Sequence, residues 1–537
     1  MCGIFAYINN LEKNYTYSEK FVRDQFNKGK SRGPESTNQV NLEYYNTRIF
    51  LGFHRLAING LNEESNQPFF IDGVYLICNG EIYNYRGFAY LKFKTKSDCE
   101  VIIHLYRRYG IEYLFEALDG VFSFVLYDTN IKKMYVSRDP YGVRPLYYYN
   151  KCCLVFASEL KQIHGFGTGI KQFEPGCCME ITLNKKDYPT ITNCKKYSSF
   201  GFSKLIFNNL YDIYGIFYQM VYNSVKKRVV GTTDRPIACL LSGGLDSSTI
   251  AALVNSFLEP GVLETYSIGL ANSTDLVYAQ KVADHLGTKH TSIVLTEDQF
   301  FDAIPEVIRA IESYDTTTVR ASVGNYLIGK YIKEHSSAKV IFNGDGADEL
   351  MGGYLYFNKT PSAIEFDCEC KRLLSNIHYF DVLRSDRCIS THGLEPRTPF
   401  LDRSLVQFYL SIPNDLRFHR LQNQPEKFLM RGAIEFMNKT LLPPEVLYRT
   451  KEAFSDGVSG VERSWYQIIQ EKVEKISIID VESITHNKPT TDEQVYYRTL
   501  FEEHFGGCGE IVPYFWMPRY TKATDPSART LEEYKNT

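Results

Sequence analysis

Ile237-Ala238-Cys239-Leu240-Leu241-Ser242-Gly243-Gly244-Leu245-Asp246-Ser247-Ser248, followed by Thr249-Ile250-Ala251-Ala252-Leu253-Val254, is the stretch that decides the fold. The first five residues form an unbroken apolar run, the pattern of a parallel strand buried on both faces. The last six keep a helical apolar face. Between them lies a turn of glycines and hydroxyls, so the order is strand, small-residue turn, helix. Two adjacent glycines admit positive φ and close approach of a ligand to the backbone. The first N–H groups of the helix lack intrahelical partners, and the macrodipole there favours an anion. Ser242, Ser247 and Ser248 add hydroxyl donors. The stretch predicts a phosphate cradle, set against the plainer alternative of a Ser-capped αβ connection without a ligand.

A Walker loop would end in Lys followed by Ser or Thr, and this stretch does not. Ser242-Gly243-Gly244-Leu245-Asp246-Ser247 resembles instead the pyrophosphate loop of ATP-dependent adenylating enzymes. These cleave ATP between the α and β phosphates and activate a substrate as its adenylate.

At 537 residues the chain calls for two to four domains. A net charge of −3 gives no broad attraction to nucleic acid or membrane. No apolar run approaches the ~20 residues of a membrane span. Met1-Cys2-Gly3-Ile4-Phe5-Ala6 lacks the basic region and longer apolar core of a secretory signal, which predicts a cytoplasmic protein with reduced thiols. The 13 cysteines then read as small core residues or inert thiols. Cys368-Glu369-Cys370 has no second pair to complete a zinc site.

The first ~200 residues read as strands separated by turns, at Cys2–Ile8, 48–53, 74–78, 121–127, 133–137, 146–149 and 154–157. One helix is expected from Ser18 to Lys28. Another begins at Ser97, where Ser97-x-x-Glu100 predicts a capping box ahead of Val101, Ile102 and Leu105. A mostly antiparallel, two-layered sheet domain flanked by helices follows. If Met1 is removed, Cys2 carries a thiol and a free α-amino group on one residue. That amine has a pKa near ~8 and is able to take the thiol proton. On position alone Cys2 could equally be a small buried residue.

Its company points further. Ser31-Arg32-Gly33-Pro34-Glu35, Gly52-Phe53-His54-Arg55-Leu56-Ala57-Ile58, Asn79-Gly80-Glu81-Ile82-Tyr83-Asn84, Ser97-Asp98-Cys99-Glu100 and Ser137-Arg138-Asp139-Pro140-Tyr141-Gly142 accompany Met1-Cys2-Gly3-Ile4. Together they resemble the N-terminal-nucleophile glutamine amidotransferase domain. The resemblance implies that Cys2 attacks the side-chain amide of glutamine, with Asn79 and the Gly80 N–H as oxyanion hole. Loss of one such donor costs ~100-fold in rate. It further implies a glutamine pocket of Arg55, Asn79, Glu81 and Asp98, with Arg55 on the α-carboxylate and Asp98 on the α-ammonium. Each residue has a bland alternative: Asn79-Gly80 is the commonest hairpin signal, Arg55 a surface cation, Asp98 a complement to the helix dipole. Glu35 stands where the family usually has Asp, and Lys96 where it often has a small residue.

Strand rhythm is lost from about Cys194 to Leu210, which places residues 1–200 in one domain and 201–537 in another. Beyond a helix near 212–227 and the stretch already quoted, strands at 263–268, 291–294 and 339–342 alternate with helices near 275–286, 297–312 and 321–334. This predicts an open parallel sheet with helices on both faces and a ligand at the strands' carboxyl ends. Asn343-Gly344-Asp345-Gly346-Ala347-Asp348-Glu349 follows one of those strands, and its carboxylates suit Mg²⁺ shared with phosphates.

This run, with Ser313-Tyr314-Asp315-Thr316-Thr317-Thr318-Val319-Arg320, Asp381-Val382-Leu383-Arg384, Gly393-Leu394-Glu395-Pro396-Arg397, Lys451-Glu452-Ala453-Phe454-Ser455-Asp456-Gly457 and Asp525-Pro526-Ser527, resembles the glutamine-hydrolysing asparagine synthetases over almost the whole chain. The resemblance implies that ATP, with Mg²⁺, adenylates the β-carboxylate of aspartate and that ammonia from glutamine displaces AMP. It places ATP on Leu241, Ser242, Gly243, Gly244, Asp246, Ser247, Ile268, Asn343 and Gly344, and the metal on Asp246 and Asp348. It places aspartate on Thr317 and Arg320, and gives Lys451 the departing pyrophosphate and Asp345 the ammonia. A second carboxylate acceptor, as in β-lactam synthetases, and a silent glutamine or nucleotide sensor are the alternatives. Retained Cys2 argues against the first, and intact Cys2, Asn79, Asp246 and Asp348 against the second. Partners are then small molecules, with a homodimer an open option.

Overall fold

Three sheets organise the chain in the computed structural model, which describes residues 1–11, 17–184, 189–207, 209–232, 234–460, 462–474, 484–531 and 534. The first two are antiparallel and fill the N-terminal part. Their strands are β1 (Gly3–Asn10), β2 (Ser36–Tyr44), β3 (Thr47–Arg55), β4 (Phe69–Ile71), β5 (Val74–Ile82), β6 (Gly120–Asp128), β7 (Lys133–Arg138), β8 (Tyr147–Asn150), β9 (Leu154–Ala157), β10 (Lys171–Gln172), β11 (Cys177–Thr182) and β12 (Thr190–Lys196). One sheet runs β10-β8-β9-β1-β3-β2 and the other β12-β11-β7-β6-β5-β4.

Period-two alternation explains why they stack. In β1, Ile4, Ala6 and Ile8 meet Ile77, Val125 and Val136 of the other sheet, while Phe5 and Tyr7 face outward onto Val22 and Phe26. Those two belong to α1 (Glu19–Asn27), capped by Ser18, whose side chain accepts from the Phe21 N–H. On the far side Phe122, Phe124 and Leu126 of β6 pack on Ile102 and Leu105 of α2 (Val101–Ala117). Both faces of each sheet are thus covered, and the central strands are buried along nearly their whole length.

The capping box expected at Ser97 does not form. Ser97 Oγ accepts from the Cys99 N–H at 3.3 Å. Glu100 instead accepts from the N–H groups of Lys94 and Thr95, both at 2.6 Å, and pairs with His104 at 2.9 Å. A 3-10 turn at 98–100 precedes the helix. That turn moves Glu100 off the reciprocal bond.

The short helix α3 (Leu160–Ile163) and the long α4 (Leu210–Val230) lead to the third sheet. Its strands are β13 (Ile237–Leu240), β14 (Glu264–Leu270), β15 (Lys289–Leu295), β16 (Val340–Phe342) and β17 (Glu395–Arg397), all parallel in the order β15-β14-β13-β16-β17. Helices α5 (Leu245–Asn255) and α6 (Thr274–Leu286) cover the face carrying Cys239 and Phe342. On the face of Ala238 and Ile341 lie α8 (Ile304–Ile311) and α9 (Thr316–His335). The single helix expected over 297–312 is two, α7 (Glu297–Asp302) and α8, because Pro305 sits in the first turn of the second.

The chain leaves β13 toward β14 and returns to β16 on the other side of β13. The crevice between the ends of β13 and β16 is therefore a topological switch point, where ligands of such sheets bind. Beyond β16 come α10 (Ala347–Met351), α11 (Ala363–Asn376) and α12 (Asp381–Ser390).

Buried charges join the two halves. Arg32 donates to both carboxylate oxygens of Asp386, at 2.7 and 3.1 Å, to Ser390 Oγ at 2.9 Å and to the Cys2 carbonyl at 3.0 Å. Arg387, also on α12, donates to the Ser158 carbonyl and pairs with Glu159 and Glu312. Such pairs gain little net stability but cost ~3–5 kcal/mol when one partner is removed, so they fix one relative placement of the halves.

Candidate active sites

Cys2 enters β1 beside the end of β3, its Sγ donating to the Leu56 carbonyl at 3.6 Å. Burial pushes the thiol up to about 11, and the nearby chain amine opposes that shift. With Met1 in place the amine belongs to Met1, which is buried with its nitrogen 3.6 Å from Glu395. The Cys2 nitrogen is then an amide and cannot act as a base. Removing Met1 would transfer the amine to Cys2 itself.

Asn79 and Gly80 lie within β5 opposite Ser123 and Phe122, not in a hairpin turn. Both polar atoms of the Asn79 side chain are buried and have no protein partner. Leaving such groups unpaired costs ~1–3 kcal/mol, so they mark a place where a ligand supplies the bonds. A Cβ at Gly80 would meet the Val121 carbonyl oxygen at 2.7 Å, which keeps this position glycine.

Arg55, at the end of β3, is held by the Asn62 carbonyl at 3.0 Å, by Asn66 Oδ1 at 2.8 Å and by the Gly60 carbonyl. Its guanidinium is close enough to Cys2 for each to perturb the other's ionisation. Asp98 accepts from the Ile82 N–H at 2.6 Å, and burial raises its carboxyl to about 6. Glu81 accepts from Asn59 Nδ2 at 3.0 Å and lies 3.3 Å from Arg397 of β17, so it faces the other half of the chain. Burial pushes its carboxyl up. The two departures fall outside this pocket: Lys96 is exposed, and Glu35 spans Arg235 at 2.7 Å and the Ala57 N–H at 2.8 Å.

A cavity of about 160 Å³ opens at the switch point. It is lined by Leu241, Ser242, Gly244, Asp246, Ser247, Ile268, Thr317, Asn343, Gly344, Asp345, Asp348 and Lys451. The loop after β13 is pre-shaped. The Ser242 N–H donates to Ser247 Oγ at 3.2 Å, the two hydroxyls are 3.0 Å apart, and the Gly244 N–H reaches Ser242 Oγ at 3.4 Å. Gly243 has φ +71°, and a Cβ there would meet the Ala279 nitrogen at 2.4 Å. It shapes the turn against α6 without lining the cavity.

Four charges cross the cavity floor. Lys427 Nζ is 2.5 Å from both Asp246 Oδ2 and Asp348 Oδ1, and Lys451 Nζ is 2.6 Å from Asp348 Oδ2. Burial alone would raise the Asp348 carboxyl; the two ammoniums outweigh it and hold it at about 2. The same carboxylates push the Lys451 ammonium up. Lys427 was not anticipated from the sequence. It precedes the helix Phe428–Met437 with φ +57°, a rare conformation for a residue with a side chain, and is buried. In a sequence such a lysine is indistinguishable from a solvated one.

At the other end of the cavity Arg384 of α12 donates to Asp345 Oδ1 and Asp381 Oδ1, both at 2.9 Å. The second oxygen of Asp345 and the Thr317 hydroxyl are buried without partners. Asn343 donates to Ser385 of the same helix at 2.6 Å. Helix α12 therefore carries groups of the switch-point cavity at one end and, through Asp386 and Arg32, contacts the Cys2 backbone at the other.

Arg320 departs from expectation as an aspartate ligand. It points away from the cavity, and its guanidinium is consumed by Glu493, at 2.8 and 2.5 Å, and Asp525, at 2.7 Å to each oxygen. Two carboxylates already balance its charge and take four of its five N–H bonds.

Against known families, residues 217–366 and 359–511 match the model described as Asparagine synthase, and residues 1–188 the Glutamine amidotransferase domain. The chain is 40% identical to "Asparagine synthetase [glutamine-hydrolyzing]" of Gallus gallus, over 94% of this chain and 95% of that one. Its counterparts in Homo sapiens and Bos taurus are 40% and 41% identical, over 94% of this chain and 95% and 94% of theirs. Among solved structures, a glutamine phosphoribosylpyrophosphate amidotransferase from B. subtilis aligns with a TM-score of 0.31 at 16% identity, covering 54% of this chain and 81% of that one. That likeness is too slight to argue from. With the curated relatives aligned along nearly their full length and both domain families matched in order, this chain belongs to the glutamine-hydrolysing asparagine synthetase family.

Proposed function

We infer that this ATP-driven, glutamine-dependent asparagine synthetase activates aspartate as its β-adenylate, releasing pyrophosphate and then AMP. The observation that carries the reading is the shared cavity. A pre-shaped Ser-Gly-Gly turn, two aspartates, two lysines and the Arg384–Asp345 pair all border one crevice. In this reading residues 1–200 form the glutaminase and residues 201–537 the synthetase.

Cys2, freed from Met1, attacks the glutamine amide carbon, and its own amino group takes the thiol proton and returns it to the leaving ammonia. Asn79 and the Gly80 N–H hold the oxyanion. Asp98 holds the α-ammonium, Arg55 the α-carboxylate, and Glu81 closes the pocket toward the synthetase half.

In the synthetase, Ser242, Gly244 and Ser247 cradle the pyrophosphate, with Gly243 shaping the turn, and Leu241, Ile268, Asn343 and Gly344 border the nucleotide. Asp246 and Asp348 suit Mg²⁺ bound through one or two carboxylates plus substrate phosphates. Asp246 Oδ1 is buried with no partner, and Lys427 now stands between the two carboxylates as their cation. When bound, the ion would neutralise phosphate charge. Lys427 and Lys451 would turn toward the pyrophosphate as it departs. Thr317 and Arg384 are the acceptor's nearest ligands, and the free oxygen of Asp345 takes a proton from the attacking ammonia. The protein is proposed to act in the cytoplasm; among the described residues no helix is long and apolar enough to cross a membrane. A homodimer is compatible with this reading and is not required by it.

Purified enzyme supplied with ATP, Mg²⁺, aspartate and glutamine should form asparagine, glutamate, AMP and pyrophosphate in equal amounts. Formation of ADP and phosphate contradicts the adenylate.

A further inference from the structure

The cavity continues into a second, smaller chamber. Thr317, Asp381, Arg384 and Lys451 give it polar lining, and Trp516, Pro526, Ala528 and Leu531 part of its apolar lining. These last four come from the C-terminal segment, which contributes nothing to the lining of the nucleotide cavity itself.

That segment is mostly irregular and is held by polar bonds at three points. The Trp516 N–H donates to Asp315 Oδ1 at 2.7 Å, and Asp315 also caps α9. Asp525 accepts from Arg320 of the same helix at both carboxylate oxygens, each at 2.7 Å, and from the Ser527 N–H at 2.8 Å. Ser527 Oγ and the Ala528 N–H reach the two oxygens of Asp456, at 2.7 and 3.1 Å, and Arg529 donates to Glu452 at 2.6 Å. Glu452 directly follows Lys451 in the chain, with Asp456 shortly after. The segment thus straps the start of α9, with Thr317, to the Lys451 loop.

We propose that this C-terminal strap is the roof of the amino-acid chamber: it sets the size of the acceptor and keeps water from the activated carboxylate, with Arg320 as its anchor. The proposal rests on the adenylate reading above. An acyl adenylate is open to hydrolysis, in which a water oxygen bonds to the β-carbonyl carbon, the bond from that carbon to the AMP oxygen breaks, and aspartate and AMP leave. An apolar lining poor in hydrogen-bonding groups protects against this loss.

The test uses the full chain with ammonium as nitrogen donor and three main variants, with Asp525→Asn as a fourth, graded one: Asp525→Ala, which frees the strap, Trp516→Ala, which opens the roof, and Ala528→Leu, which fills the chamber and keeps every anchoring side chain and the Ala528 N–H bond. The first two should raise KM for aspartate about tenfold, leave KM for ATP within about twofold, and lift the ratio of pyrophosphate to asparagine above one. Asp525→Asn, which keeps part of the anchor, should fall between wild type and Asp525→Ala. Ala528→Leu should raise KM for aspartate with the ratio still near one. Glutamine hydrolysis without ATP, a check on folding, should not change. If Asp525→Ala fails to fold, the other two variants decide. AMP formation with unchanged aspartate KM and unchanged ratio in the folded variants overturns the strap alone. ADP formation by the wild type overturns the adenylate reading and the strap together.

Discussion

Replacing Lys427 with methionine removes one ammonium and little volume. That ammonium is 2.5 Å from each of two carboxylates. Removing one partner of a buried ion pair costs ~3–5 kcal/mol, and losing one preorganised charge on a reacting group costs ~2.7–4 kcal/mol. The second figure sets the catalytic effect: a fall of ~10²–10³-fold in the synthetase turnover of Lys427→Met. The Asp348 carboxyl, held at about 2 by two ammoniums, would rise once only Lys451 remains. The assay is pyrophosphate release with ammonium as nitrogen donor, which bypasses Cys2, with glutamine hydrolysis without ATP as the internal control. Hydrolysis should stay within about twofold of wild type, because Lys427 touches no residue of the glutaminase pocket. Retention of synthetase turnover within about threefold would refute the reasoning, since the buried cation would then only balance the two aspartates.

Other outcomes follow from the same geometry. Cys2→Ala should abolish glutamine hydrolysis and leave ammonium-dependent synthesis intact, and chains that keep Met1, checked by intact mass, should behave in the same way. Asp386→Asn weakens the Arg32 bond network behind the Cys2 carbonyl, so hydrolysis should fall about tenfold while ammonium-dependent synthesis changes less, as separate kcat measurements would reveal. Burial raises the Asp98 carboxyl to about 6, and only its ionised form attracts the glutamine ammonium. As pH falls through about 6 the carboxylate protonates, so kcat/KM for glutamine should drop there, and Asp98→Asn should give a low, flat profile across the same range.

Legibility in the sequence followed how local each signal is. The Ser242 turn could be read because its apolar strand, glycines and hydroxyls are contiguous and each has one physical meaning. The central strands β1, β5 and β6 announced themselves by apolar runs buried on both faces. Strands β2 and β12 did not, because they are edges whose polar side chains face water. Strand β17 was invisible for another reason: Glu395-Pro396-Arg397 is short, charged and broken by proline, and it is a strand only because β16 pairs with it. The candidate site residues divide in the same way. Asn79 and Gly80 were singled out through their neighbours in sequence, whereas Asn-Gly alone would have been placed in a turn, and the structure puts the pair within β5. Lys427 was missed because its partners, Asp246 and Asp348, reach it only through the fold. Arg320, expected on aspartate, shows the converse: the carboxylates it pairs with lie 173 and 205 residues further along the chain, and nothing near Arg320 reports them.

The most direct test of the central claim follows oxygen from the β-carboxylate of aspartate. Aspartate labelled there with ¹⁸O is incubated with the enzyme, ATP, Mg²⁺ and glutamine, and the phosphorus products are analysed by mass. An adenylate formed at the Ser242 turn predicts one labelled oxygen in AMP, none in pyrophosphate and one label left in asparagine. Label in inorganic phosphate, with ADP formed in place of AMP, would contradict the account.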